Sequence, residues 1–251
     1  RFFSWDDMIY GWEQEKLLTY PSLPQLFSDA GYYTAYLHTF NDGIYNRTAL
    51  YTALGFQDMY FSGDFAAIDP EAAAAPDYWS YMYGKIAGEF YSDDYLADVT
   101  AELFDQKAGE GPVFLWAVTM ENHTPYTADK FSSYDFPFES DLGDEAVGVL
   151  NAVTQGVADC SEALGKLVDH LAAQDEPVIV VFFGDHQPGF ADWLFEETFG
   201  KPVESASLEE VQARYRTPYF IWANAAARGK YGDTLARIEN ADVTSLNYLS
   251  S

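Results

Sequence analysis

The sequence predicts an α/β fold: a mainly parallel central sheet flanked by helices on both faces. Two patterns carry that expectation. Helix-like and strand-like segments alternate along the chain. The two clearest strand segments, PVFLWAVTM at 112–120 and PVIVVFF at 177–183, are apolar almost without interruption, as strands covered on both faces are. The composition can fill such a core. Of 251 residues 48% are hydrophobic, including 19 Tyr, 19 Phe and 6 Trp, which lies far from the make-up of a disordered acidic chain. The length corresponds to one large domain or two small ones.

Taken in order, LPQLFSDAG (23–31) reads as a short helix stopped by glycine, and YYTAYL (32–37) as a strand ending at His38. NRTALYTAL (46–54) is a second short helix closed by Gly55, followed by a short strand near 59–61. Residues 62–80, with AAAA and two prolines, read as a long connection. Leu96, Val99, Leu103 and Phe104 recur at helical spacing and predict a helix over 93–107. The run at 112–120 is too short for an ordinary buried helix and is taken as a strand. Acidic, aromatic and turn-rich, 128–145 is an excursion across the surface. The longest helix spans 145–174, with Leu150, Val153, Val157, Leu164, Leu167, Val168 and Leu171 as its apolar stripe. PVIVVFF is the clearest buried strand, 219–223 is a further strand, and 242–248 reads as a helix. There is no internal repeat.

Charge narrows the function. Forty acidic residues against 13 Lys and Arg leave a net charge of −27. A nucleic-acid binder needs a basic face to displace counterions, and this chain has none to offer; anionic membrane surfaces are disfavoured for the same reason. Cys160 is the single cysteine, so no internal disulfide forms, and its place in a helical pattern makes it a packing residue. No apolar run approaches the roughly 18 residues of a spanning helix. The chain opens at Arg1 without a leader pattern, as expected of a piece of a longer protein.

Three of the four histidines, His38, His123 and His186, follow apolar strand runs. His170 lies in the last turns of the long helix, where a cation suits the dipole. Strands that run parallel would bring the first three to one sheet edge, where α/β sheets bind ligands. The sharpest element is GDHQP (184–188), directly after PVIVVFF. Asp185 and His186 pair a hard oxygen with an imidazole nitrogen, a donor set suited to Mn²⁺ or Zn²⁺; the other reading is a helix cap beside a surface histidine. In ENHTPY (121–126), His123 beside an amide and a hydroxyl fits anion binding or proton transfer, or a loop histidine held by local backbone. Arg47, in YNR (45–47), offers the bidentate fork that holds phosphate or sulfate, or else an ion pair with one of the many acids. No nucleophile elbow, Walker loop or dinucleotide motif is present.

The order His38…Tyr45-Asn46-Arg47, then Asn122-His123-Thr124-Pro125-Tyr126, then Phe183-Gly184-Asp185-His186 resembles the extracellular sulfatase-like domain of lipoteichoic acid synthases and related phosphoglycerol transferases, in the alkaline phosphatase superfamily. Asp159 and the SDD at 92–94 fit the same pattern. The resemblance runs from about Thr19 to near Asn247 and implies a single sulfatase-like α/β domain over 1–251, truncated at its N-terminal side. It implies a metal-dependent transferase that moves a phosphoglycerol or similar head group from a membrane lipid to a cell-envelope polymer or glycan, through a phospho-threonine. By the same likeness Asp185 and His186 are metal ligands, His123 is catalytic, and His38, Tyr45, Arg47 and His123 hold the substrate. One divalent metal is implied, manganese first and magnesium or zinc next.

Two departures stand out. Tyr45 replaces a common tryptophan, and Phe40 occupies a position that is acidic in the family. The threonine nucleophile and an acidic ligand are expected upstream, so neither Ser4 nor Thr19 is assigned that role, and these residues alone are expected to bind metal weakly without turnover. The implied partners are an anionic lipid head group and a polyol or glycan acceptor, and no nucleic acid; the implied location is the extracytoplasmic face of a bacterial membrane, with the parent protein anchored by upstream helices. Two other readings stand beside this: a sulfate or phosphate ester hydrolase on the same scaffold, and a non-catalytic module that binds an anionic glycan.

Overall fold

Strand β1 (Tyr33–His38) is the axis of the first part of the protein. In this computed structural model, which describes residues 21–189 and 192–236, it pairs in parallel with β2 (Asp58–Tyr60) and β5 (Val113–Val118), in the order β2-β1-β5. The ladder runs from Tyr33 opposite Val113 to His38 opposite Val118, so β1 and β5 leave the sheet at one edge. The described residues up to Glu121 form one compact unit and those from Asn122 a second.

Both faces of this sheet are covered, and alternation along β1 explains why. Ala35 and Leu37 point into a cluster with Phe65, Tyr95, Leu96, Val99 and Leu103, the last four from helix α5 (Asp93–Ala108). Tyr36 points the other way, against Phe56 and Phe61, and its ring stacks on Tyr51 of helix α2 (Arg47–Ala53) at 3.8 Å. Helix α1 (Leu23–Asp29) starts at Ser22, whose Oγ accepts from the Gln25 amide, and Phe27 stacks on Phe114 at 4.5 Å. At Gly55 φ is +94° and a Cβ would lie 3.1 Å from the Gln25 backbone, so glycine is required there.

The stretch read as a bare connection is structured. It holds a 3₁₀ turn (Phe65–Ala67), helix α3 (Pro70–Ala74) and the start of helix α4 (Tyr78–Tyr83), after which an antiparallel hairpin of β3 (Ile86–Ala87) and β4 (Phe90–Tyr91) follows. Side-chain caps make such short helices possible. Asp69 Oδ1 accepts two amides at the start of α3, and its Oδ2 accepts the hydroxyls of Tyr81 and Tyr95, each at 2.9 Å. Those hydrogen bonds and burial of Phe65, Ile68 and Met82 override the weak helical length signal.

In the second unit the long helix α6 (Asp144–Ala172) is present, but its buried face differs from the expected stripe. Ala146, Gly148, Ala152, Gln155, Gly156, Ala163 and Leu171 are buried; of the expected stripe, Leu150, Val153, Leu164, Leu167 and Val168 are half-buried and Val157 is exposed. Close backbone approach selects small residues there. Strand β6 (Ile179–Phe183) pairs antiparallel with β7 (Tyr219–Ala223), its one ladder neighbour among the described residues. Ile179 and Val181 are 46% and 48% exposed, so the expectation of a fully buried strand does not hold. An unbroken apolar run is equally compatible with a ladder covered on one side. Asn224 follows β7 as the N-cap of helix α9 (Ala225–Leu235) and accepts the Ala227 amide. Helices α7 (Asp192–Phe199) and α8 (Leu208–Ala213) complete the unit. The expected helix at 242–248, Ser4 and Thr19 lie outside the described residues.

Candidate functional site

In the first unit the candidates gather behind the end of β1. His38, 1% exposed, closes the strand, and its Nδ1 lies 3.1 Å from the Val118 carbonyl across the ladder. The chain then loops to Tyr45 and Asn46, two consecutive residues in the left-handed region with φ of 61° and 50°. That turn aims Arg47 back over the loop. Its Nη1 donates to the carbonyls of Asn41 and Ile44, each at 3.2 Å, and its guanidinium lies 5.3 Å from the Tyr45 ring centre. Burial pushes the Tyr36 phenol well above its ordinary range, with neighbouring Tyr51 acting the same way and Arg47 acting against it. Phe40 packs edge-on against Phe90 of the hairpin at 5.6 Å. The position that the resemblance expects to be acidic is thus spent on packing.

In the second unit His123, Asp185 and His186 occur in two short loops. His123 Nδ1 lies 2.8 Å from the Thr124 carbonyl, the Thr124–Pro125 peptide is cis, and the Tyr126 hydroxyl donates to the Asn122 carbonyl at 2.9 Å. Lys130, almost fully buried, donates to the His123 carbonyl and sits 5.5 Å from the Tyr126 ring centre. Helix α6 anchors the whole excursion: a Cβ on Gly156 would overlap the Asn122 side chain, one on Gly148 would stand 2.7 Å from Ala128 Cβ, and Gln155 Oε1 accepts the Asp135 amide at 2.7 Å. Sequence reasoning passed over Lys130, Gln155 and both glycines as positioning residues. The glycines at 148 and 156, eight residues apart on a helix and so on nearby faces, were the signal that could have found them.

After β6, Gly184 lets the chain pass Thr217, where a Cβ would stand 3.1 Å from Thr217 Cβ. Asp185 Oδ1 accepts the His186 amide at 2.9 Å, and Gln187 Nε2 donates to the Arg216 carbonyl. Asp185 also acts on Tyr126: the phenol is pushed up to about 12, by burial first and by the Asp185 carboxylate second. The two loops of the second unit therefore face one another electrostatically.

One device recurs. A carbonyl oxygen only accepts, so the Nδ1 of His38, His123 and His186, set against the carbonyls of Val118, Thr124 and Gln187, must carry the proton in each ring. In the neutral ring the lone pair then sits on Nε2. His170 lacks this arrangement; its Nε2 faces the Gln174 amide at 3.3 Å.

Asp185 and His186 fit a divalent cation as a pair. His186 Nε2 and Asp185 Oδ2 are 3.5 Å apart, a gap that one ion at ligand distances of about 2.0–2.2 Å spans, and the Nδ1–H bond to a carbonyl is the usual support of a ligating imidazole. Among the described residues no group of three or more His, Cys, Asp and Glu side chains converges as a metal site, so these two supply part of a coordination shell.

The family model described as Sulfatase matches residues 3–251. A Rhizobium meliloti protein provisionally named for cyclic beta-1,2-glucan modification is 28% identical over 219 residues, which is 86% of this chain and 32% of that protein. The crystal structure of the lipoteichoic acid synthase LtaP from Listeria monocytogenes superposes with a TM-score of 0.60 at 25% identity, covering 84% of this chain and 48% of that one. The Streptococcus pyogenes phosphoglycerol transferase GacH, solved with sn-glycerol-1-phosphate, gives 0.55 at 22% identity over 78% of this chain and 44% of its own. The chain thus spans about a third of the length of the curated relatives it matches. The fold is that of the alkaline phosphatase superfamily.

Proposed function

This chain belongs to the sulfatase family, and from that premise we propose that it is part of an enzyme that transfers phosphoglycerol, or a similar phospho-head-group, from a membrane lipid to a cell-envelope glycan. The observation that carries this reading is the Asp185–His186 donor pair, 3.5 Å apart, facing Tyr126 in the loop that holds His123. Likeness to the phosphoglycerol transferase GacH supports the group transferred, and likeness to a relative named for glucan modification supports the acceptor.

In the second unit Asp185 Oδ2 and His186 Nε2 would be two of the protein ligands for one divalent cation, manganese by preference. When bound, that cation neutralises phosphoryl oxygens and lowers the pKa of the attacking hydroxyl. His123 exchanges a proton at Nε2, because Nδ1–H is held by the Thr124 carbonyl. The phosphoryl group passes first to the threonine hydroxyl expected upstream: that hydroxyl's proton moves to His123 Nε2 and on to the diacylglycerol oxygen as the lipid's P–O bond breaks, and the glycan hydroxyl then gives its proton to Nε2 and on to the threonine oxygen as it takes the phosphoryl group and the phospho-threonine bond breaks. In the first unit His38, Tyr45 and Arg47 are assigned to the head group, Arg47 through the guanidinium nitrogens its loop clamp leaves over. Residues 1–251 are assigned to a single sulfatase-like domain. The parent protein works at the extracytoplasmic face of a bacterial membrane, held there by upstream segments; no helix among the described residues is long and apolar enough to cross a bilayer.

The test is a full-length transfer assay with manganese, fluorescent phosphatidylglycerol and a neutral β-glucan. The expected result is diacylglycerol release with phosphoglycerol esters on the glucan, and a loss of about a hundredfold or more in His123→Ala, within the usual range for a positioned acid-base group. Release independent of the glucan, with free glycerol phosphate as product, would establish the hydrolase reading; no release by the wild type would overturn catalysis altogether.

A further inference from the structure

Helix α4 has two faces with opposite fates. Met82 is buried, and Tyr81 donates its hydroxyl to Asp69 and Glu71. On the other side Trp79 and Tyr83, four residues apart and so neighbours on one face, are 68% and 70% exposed. Tyr78 meets Trp79 edge-on at 5.2 Å. Exposed helix positions ordinarily take charged or small residues, and an open aromatic patch raises the risk of association, so folding gives no reason for this shelf.

Its location does. The hairpin that follows α4 is pinned to the loop after His38 by the Phe40–Phe90 contact at 5.6 Å. The Ser92 amide donates to Lys85 at 2.8 Å, and the Asp93 amide donates to Glu121, which lies just beyond β5. The shelf is therefore attached, within the first unit, to the sheet edge where His38 ends its strand. Its charge selects the ligand. Asp77, exposed, caps α4 next to Tyr78, and Glu71, also exposed, accepts the Tyr81 hydroxyl of the same helix. The nearby Lys85 ammonium is held over the rings of Tyr81 and Tyr95, at 4.8 and 5.1 Å. An anionic polymer or an anionic leaflet is repelled, whereas a neutral sugar chain can lay its C–H faces on the negative ring faces and give its hydroxyls to the carboxylates. Cβ atoms about 5–6 Å apart on successive turns suit consecutive hexoses.

We infer that Tyr78, Trp79 and Tyr83 form the acceptor subsite and that its ligand is a neutral glucan; the inference rests on the glycan-acceptor reading above. The experiment is calorimetric titration of the full-length protein, without donor lipid, with a neutral cyclic β-1,2-glucan, and in parallel with glycerol phosphate and with phosphatidylglycerol vesicles. Trp79→Ala should weaken glucan binding about tenfold, at the upper end of what one stacked ring contributes. Tyr83→Ala should weaken it less, Trp79→Phe should recover most of the loss, and glycerol phosphate binding should stay unchanged in all three. Wild-type protein that ignores the glucan, or binds it equally well after Trp79→Ala and Tyr83→Ala, overturns the subsite. Vesicle binding lost in Trp79→Ala instead would make the shelf a membrane contact. Because binding is read without turnover, a protein that holds glucan through the shelf yet transfers nothing would overturn the transfer reading alone.

Discussion

An imidazole offers two nitrogens, and at His38, His123 and His186 one of them is spent on a backbone carbonyl at 3.1, 2.8 and 2.8 Å. The remaining nitrogen differs in task, and substitution separates the tasks. Asp185→Asn removes an anionic ligand while leaving His186 in place, so part of its activity loss should return at high manganese. Arg47→Lys keeps the charge but loses the fork and the two carbonyl bonds that shape residues 41–44; its loss should not respond to metal. A manganese titration of both variants checks this, and the reverse pattern overturns both assignments. A second residue-scale check is Tyr126. Its phenol, pushed up to about 12, stays neutral across the physiological range. A raised folded-state value favours the fold below the ordinary tyrosine range and withdraws that support as pH climbs through about 12. Asp185→Asn should move this midpoint down, leaving the larger burial effect, as followed by ultraviolet titration of the tyrosinate band.

Helix α6 positions the His123 loop through what its side chains lack. Gly148→Ala forces a methyl to within 2.7 Å of Ala128 Cβ and 3.3 Å of its Cα. Gly156→Ala drives one into Asn122. Each should cost about 1–3 kcal/mol by overpacking and lower activity by displacing His123. Gly165 meets nothing within 4 Å, so Gly165→Ala should stabilise by about 0.5–1 kcal/mol through helix propensity. Thermal unfolding of the three variants reads opposite signs, and a uniform sign would sink the packing account. Helix α8 supplies a pH test. Its capping box pairs Ser207 with Glu210, and the Lys201 ammonium first, then the Ser207 bonds, lower the Glu210 carboxyl from 4.5 to about 2. A lowered folded-state value means the contribution is complete above 4.5 and is lost as pH falls toward 2. Lys201→Ala should raise the midpoint, as followed by NMR titration of the Glu210 side chain.

For the molecule as a whole, the net charge of −27 acts beyond any one contact. It repels an anionic donor at long range, and screening shortens that repulsion to about 8 Å at physiological ionic strength. Binding of phosphatidylglycerol vesicles should therefore strengthen as salt rises from low to physiological levels, whereas neutral glucan binding should not change. Light scattering for vesicles and calorimetry for glucan would show it. Vesicle affinity that falls with salt would mean that local cations such as Arg47 dominate at every range.

Short-range physics was readable in the sequence. Periodicity marked α5, α6, β1, β5, β6 and β7, and the order of His38, Arg47, His123, Asp185 and His186 announced the family, because strand alternation, helix stripes and motifs all lie within a few residues of chain. The caps that fold α3 and α4 were also written there, in Asp69 and Asp77, but they were outweighed by the alanines and prolines around them. What only the tertiary structure decided are contacts between residues distant in the chain: β7 antiparallel beside β6, the small residues that share the buried face of α6 with Leu171, Val118 as the partner of His38, and Phe40 tying an aromatic shelf to the sheet edge. A local sequence pattern states which side chains prefer burial; which neighbour buries them depends on chain segments many residues away, whose arrival no local preference encodes.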